Sequence, residues 1–117
     1  MGELLCRRDD LVATGAKGVT LGHGSGARDI VIVRDCPSLR AYENRCPHLA
    51  MPLEIVPDRF LDETGAHLVC TTHGARFRIG DGYCVSGPCK GELLRAIEIV
   101  VTANEVRLAP AALENRA

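Results

Sequence analysis

Two short segments carry the residue types that bind metals. Cys46-Pro47-His48 and Cys70-Thr71-Thr72-His73 each set a thiol shortly ahead of an imidazole, with residues 49–69 between the two segments. A spacer of one or two residues lets a tight turn aim both side chains of a pair at one place. Thiolates suit soft or borderline metals, and neutral imidazoles serve the same centre without adding charge. Two kinds of centre meet this donor set. One is a single tetrahedral Zn²⁺ in a structural Cys₂His₂ site. The other is a two-iron centre with both cysteines on one iron and both histidines on the other, for which each segment supplies one ligand per iron. The repeated Cys-then-His order allows either.

Elements must bring the two segments together. Period-two or β-branched runs occur at 18–21, 30–34, 39–43, 67–69, 76–79, 93–101 and 105–108. Turn clusters separate them, among them Gly22-His23-Gly24-Ser25-Gly26, Asp35-Cys36-Pro37-Ser38, Gly80-Asp81-Gly82 and Ala103-Asn104. Short strands joined by such turns predict antiparallel hairpins in an all-β sandwich or barrel. Residues 8–11 are read as a turn. The middle of the chain differs, with three prolines in 45–57 and four glycines and a proline in 80–91. Irregular backbone costs ordering entropy, so a loop-rich block between tidy hairpins suggests that something bound holds it in place. The expectation is one domain spanning 1–117, with a loop-rich ligand-bearing subdomain at about 45–90.

Composition narrows the function classes. The chain has 117 residues, 46% apolar and 25% charged, with two Phe, two Tyr and no Trp. A core of this size is built from Val, Ile, Leu and Ala, and broad stacking surfaces for nucleic acid are not expected. The net charge of −1 comes from interspersed acids and bases and gives no field that would draw the chain to DNA or an anionic membrane. The first eight residues lack the apolar run of a signal peptide, and no stretch reaches transmembrane length. A cytoplasmic location follows as the expectation, and there the six cysteines are metal ligands or thiols before they are disulfides.

The pattern Cys-x-His, a spacer, then Cys-x-x-His-Gly resembles that of the Rieske iron–sulfur proteins. Here it reads Cys46-Pro47-His48 and Cys70-Thr71-Thr72-His73-Gly74, and the likeness runs on through Ala75-Arg76-Phe77 and Gly80-Asp81-Gly82 to Ser86-Gly87-Pro88. The last of these is similar to the family's proline-bearing loop that covers the cluster. The resemblance implies one [2Fe–2S] cluster per chain on Cys46, His48, Cys70 and His73, in a Rieske-like antiparallel β-sandwich or barrel with an inserted cluster-binding subdomain. The spacer is a few residues longer than the family's commonest length, and the extra residues at 57–65 are expected as a surface excursion.

The resemblance also implies an electron carrier. Two ferric ions, two sulfides and two thiolates sum to zero charge, and one electron takes the centre to −1, whereas an all-cysteine cluster runs from −2 to −3. High-potential members carry Ser and Tyr two and four positions after the second ligand His; here those positions are Ala75 and Phe77, which have no O–H to donate. A potential near the low end of the Rieske range, roughly −150 mV, is expected. The disulfide that ties the two ligand loops in those members would fall at Met51 and Thr72, and it is absent. Both departures imply a ferredoxin passing electrons from an NAD(P)H-dependent flavoprotein reductase to a terminal oxygenase. A small Rieske subunit of a larger reductase is the alternative, with the zinc module behind it. Electrons would leave through His48 and His73, inside an apolar rim of Leu49, Ala50, Met51, Gly74 and Pro88.

Other residues are read more plainly. Cys84 and Cys89 flank Gly87-Pro88 and are expected as buried thiols, Cys6 and Cys36 as structural or surface thiols, and His23 and His67 as non-ligands. Gly22-x-Gly24-x-x-Ala27 loosely copies a dinucleotide-binding fingerprint, but a β-branched run follows it where that mechanism requires a helix.

Overall fold

A computed structural model describes residues 4–12, 15–21, 28–35, 38–45, 53, 60–62, 64–70 and 74–109. Within them nine strands form three antiparallel three-stranded sheets. In chain order these are β1 (Leu4–Arg7), β2 (Ala16–Leu21), β3 (Arg28–Asp35), β4 (Ser38–Glu43), β5 (His67–Val69), β6 (Arg76–Arg78), β7 (Cys84–Ser86), β8 (Ile99–Val101) and β9 (Glu105–Leu108). The 3₁₀ turn Arg8–Leu11 follows β1, as expected from Arg8-Asp9-Asp10-Leu11. Its entry is held by Asp10, whose carboxylate accepts the Arg7 N–H at 2.9 Å.

The first sheet is the meander β2-β3-β4, in which Gly18 faces Val31 and Ile32 faces Ala41. The second, β1-β9-β8, joins segments from the two ends of the described chain. The third, β5-β6-β7, is a small meander pairing Leu68 with Phe77 and Phe77 with Cys84.

Strand β3 organises the interior. Ile30, Val31, Ile32 and Val33 are all fully buried, which a continuous β-branched run permits only when both faces of the strand are covered. Successive side chains on a strand point to opposite faces. Val31 and Val33 accordingly enter a core with Tyr42, Leu53, Phe60, Leu68, Phe77 and Leu94. Ile30 and Ile32 enter a second core with Leu5, Leu11, Ile97, Val106 and Leu108.

Three features depart from the sequence reading. Strands β1 and β7 went unread. The run at 93–101 is a strand only at its end, because residues 92–98 form a strap across all three sheets. Glu92 accepts the Cys84 N–H and Leu94 donates to Gly82; Arg95 accepts the Glu43 N–H and Ile97 donates to Ala41, both on β4 of the meander; Glu98 accepts from Ala109 beyond β9. Finally, the 57–65 segment is anchored at its middle, while Thr64 and Gly65 are exposed as a surface excursion requires. Phe60 is fully buried and accepts the Val69 N–H at 2.7 Å, and Leu61 pairs with Leu68. Residues 57–59 lie outside the described part.

Candidate metal centre

Of the four proposed ligands, the structure describes Cys70; Cys46, His48 and His73 lie outside the described residues, as do Leu49, Ala50 and Met51 of the expected rim. The geometry on either side of each ligand segment is well defined.

The second segment leaves β5 at Val69 and enters β6 at Arg76. Cys70, fully buried at its base, is bonded across the loop by both backbone groups: its N–H donates to Ala75 at 2.8 Å, and its carbonyl accepts the Gly74 N–H at 2.6 Å. The Cys70–Gly74 bond closes a five-residue turn, and such a turn ends in a left-handed residue. Gly74, with φ +74°, supplies it. A pair of hydrogen bonds thus joins Cys70 to Gly74 and Ala75, the described residues on the far side of 71–73.

The Gly87-Pro88 loop leans on this base. A Cβ at Gly87 would lie 2.6 Å from the Ala75 Cα, so the glycine is required both by its φ of +94° and by the touching backbone. The loop is held by its own bonds, Lys90 to Gly87, Gly91 to Cys84 and Glu92 to Cys89. Cys84 is a buried thiol whose Sγ–H donates to the Ser86 carbonyl at 3.1 Å, so the expected free thiol at this position holds.

The first segment is closed differently. The Asn44 N–H donates to the Asp29 carbonyl, tying the end of β4 to β3, and the Asn44 Oδ1 accepts the N–H of the buried Leu53 at 2.8 Å. Asn44 and Leu53, which flank residues 45–52, are thus joined directly. Nothing in the sequence reading singled out Asn44; a lone Asn near a Cys-Pro-His segment carries no periodicity, and its partner lies nine residues on.

Three further groups complete the surroundings. The Tyr42 hydroxyl donates to the Ile79 carbonyl at 2.5 Å, and its ring packs against Gly82, joining the meander to the small sheet. Burial pushes the Tyr42 hydroxyl pKa above its usual value. Asp62 accepts from the Thr64 hydroxyl at 2.7 Å and lies 3.2 Å from Nδ1 of His67. These contacts, Thr64 first, hold the carboxyl at about 2. His67, at the start of β5, is therefore engaged by Asp62.

The buried Cys70 thiol suits a sulfur-ligated centre; hydrogen bonds join the described residues that flank each of the two segments, and the Gly87-Pro88 loop packs on the second at Ala75. Among the described residues no helix is long and apolar enough to cross a membrane.

A family model for the Rieske [2Fe-2S] domain matches residues 3–104. No curated protein matches the chain. Among solved structures, a chain in the complex of reduced oxygenase and oxidised ferredoxin in carbazole 1,9a-dioxygenase is 26% identical, with a TM-score of 0.69, covering 91% of this chain and 90% of that one. The ferredoxin of carbazole 1,9a-dioxygenase from Nocardioides aromaticivorans IC177 is 22% identical, with a TM-score of 0.68 and coverage of 94% and 98%. A protein named as a nitrite reductase NADPH small subunit is 17% identical, with a TM-score of 0.65 and coverage of 93% and 98%.

Proposed function

The chain belongs to the Rieske [2Fe-2S] domain family, and from that premise we propose that it is a ferredoxin whose cluster is held by Cys46, His48, Cys70 and His73. Family membership carries the cofactor and the role: the chain binds a [2Fe–2S] cluster and is an electron carrier, and the zinc alternative falls away. When bound, the cluster supplies a one-electron couple. The ligand assignment is supported by the match of the family model over both motif segments and by the burial of Cys70, whose backbone is bonded to Gly74 and Ala75.

The protein's own residues then act on the site as a dry, fixed enclosure. Cys70 lies in the core with Leu53, Leu68, Ala75 and Phe77, so that water is excluded from the thiolate side. Burial and hydrogen bonding to the sulfurs tune the potential of such centres. Ala75 and Phe77 are fully buried and donate no O–H bond from their side chains, which supports a potential at the low end of the family range.

The donor in this reading is an NAD(P)H-dependent flavoprotein reductase and the acceptor a terminal oxygenase, in the cytoplasm, with residues 1–117 as one domain and the cluster-binding part at about 45–90. The likeness to a chain of the oxygenase–ferredoxin complex supports the acceptor. The likeness to a reductase small subunit favours a second reading, a subunit of a larger reductase. Purification from the native host separates them: a free carrier elutes alone, whereas a subunit elutes with a large flavin- or haem-bearing partner.

Electron paramagnetic resonance before and after dithionite tests the centre itself. A signal seen only after reduction, with the low average g-value of a mixed-ligand [2Fe–2S] centre, is expected, and Cys70→Ser should abolish it. A full signal in Cys70→Ser would overturn the ligand set.

A further inference from the structure

Asn44 is the one buried polar or charged residue among the described residues, 7% exposed. A buried amide is costly unless its hydrogen bonds are made, and a group so placed constrains whatever it bonds. Its own N–H is committed to Asp29 on β3. Its side-chain oxygen accepts the Leu53 N–H at 2.8 Å, across nine residues that include Cys46 and His48. Leu53 in turn is fully buried in the core that contains Cys70, Ala75 and Phe77. One amide oxygen therefore joins the exit of the first ligand segment to its entry, and both to the rigid meander. At the second ligand segment the Cys70 backbone itself makes the joining bonds, to Gly74 and Ala75.

We propose that Asn44 is a positioning residue for the cluster, a side-chain clasp that holds the Cys46–His48 segment in register with the Cys70–His73 turn. The proposal rests on the ligand reading above. Losing an outer partner of a metal ligand typically weakens metal retention about 10- to 100-fold, and the same scale is expected here. Removing Oδ1 also leaves the Leu53 N–H buried without this acceptor, which adds to the loosening.

The test compares wild type, Asn44→Ala and Asn44→Asp, the last of which keeps an acceptor oxygen at the same distance from the backbone. Two readouts are taken on the full-length protein: the rate at which a chelator strips iron from the oxidised form, and hydrogen exchange of peptides covering 45–56 and 67–78. In Asn44→Ala, iron loss should quicken at least about tenfold and exchange should rise in 45–56 while 67–78 stays protected. Asn44→Asp should restore most of both. Wild-type iron retention in Asn44→Ala would overturn the proposal, as would an Asp variant as leaky as the Ala one or a rise in exchange spread equally over both peptides. If Asn44→Ala does not fold, Asn44→Asp decides alone: retention near wild type supports the clasp, and leakiness on the Ala scale of tenfold or more rejects it. A wild-type protein with no iron–sulfur signal would instead remove the ligand reading, while the exchange contrast would still report on the clasp.

Discussion

The two cores on either side of β3 are built from similar strands but different materials. The core behind Ile30 and Ile32 is almost wholly aliphatic, closed by Leu5, Leu11, Val106 and Leu108 from the two ends of the described chain. The core behind Val31 and Val33 contains both phenylalanines, Tyr42, three cysteines and the small Ala75. The difference teaches that one strand separates two jobs. Aliphatic packing on one side contributes stability in a core that does not include Cys70, whereas on the other side the same residues fill the interior and surround Cys70.

The comparison breaks first at Phe77, which is fully buried and paired with both Leu68 and Cys84. Phe77→Ala should cost about 3–5 kcal/mol of stability and lose iron as well, read from thermal unfolding and metal content of the same sample. Leu108→Ala in the opposite core should cost about 2–5 kcal/mol yet leave the visible spectrum of the oxidised centre and its potential unchanged. A shifted potential in Leu108→Ala would mean that the two cores are not separate. Gly87→Ala sharpens the site side, since a methyl cannot sit 2.6 Å from the Ala75 Cα and the loop must lift. A loss of about 1–3 kcal/mol with faster iron release in chelator is expected.

The smallest effect concerns acid. Asp62, held at about 2 against an ordinary 3.8, is depressed on folding, so its contribution is complete above pH 4 and fades as pH falls through 2. Denaturant unfolding of wild type and Asp62→Asn at several pH values should show the wild-type advantage shrinking only across that window, with the iron-free protein used at the acid end.

Much of this was legible along the chain. The runs at 67–69 and 105–108 coincide with β5 and β9, and those at 18–21, 30–34 and 39–43 fall within β2, β3 and β4. Strand β1 was missed because Leu4-Leu5-Cys6-Arg7 has no alternation and takes its order from β9, about a hundred residues away. Strand β7 was missed because three residues between glycine-rich turns give too short a pattern to see. Residues 93–98 read apolar-apolar-polar twice rather than alternating, and their backbone is shared out among three sheets, an arrangement that a run of apolar residues does not report. At the site, Cys70 and the glycines at 74 and 87 stood in a readable motif. Asn44 did not, because a clasp depends on where the chain returns, and that is a property of the fold.

The strap at 92–98 limits what can be transplanted. The proposed ligand-bearing stretch at about 45–90 looks like a cassette for another β-scaffold, yet its small sheet hands the Cys84 N–H and the Gly82 carbonyl to Glu92 and Leu94, while Arg95 and Ile97 grip β4. A graft ending at residue 90 would leave those groups without their acceptors and donors and would surrender the grip on the host meander. Extending the donor piece through residue 98 carries the stitching with it, and the host then needs a strand edge equivalent to Ala41–Glu43 to receive it.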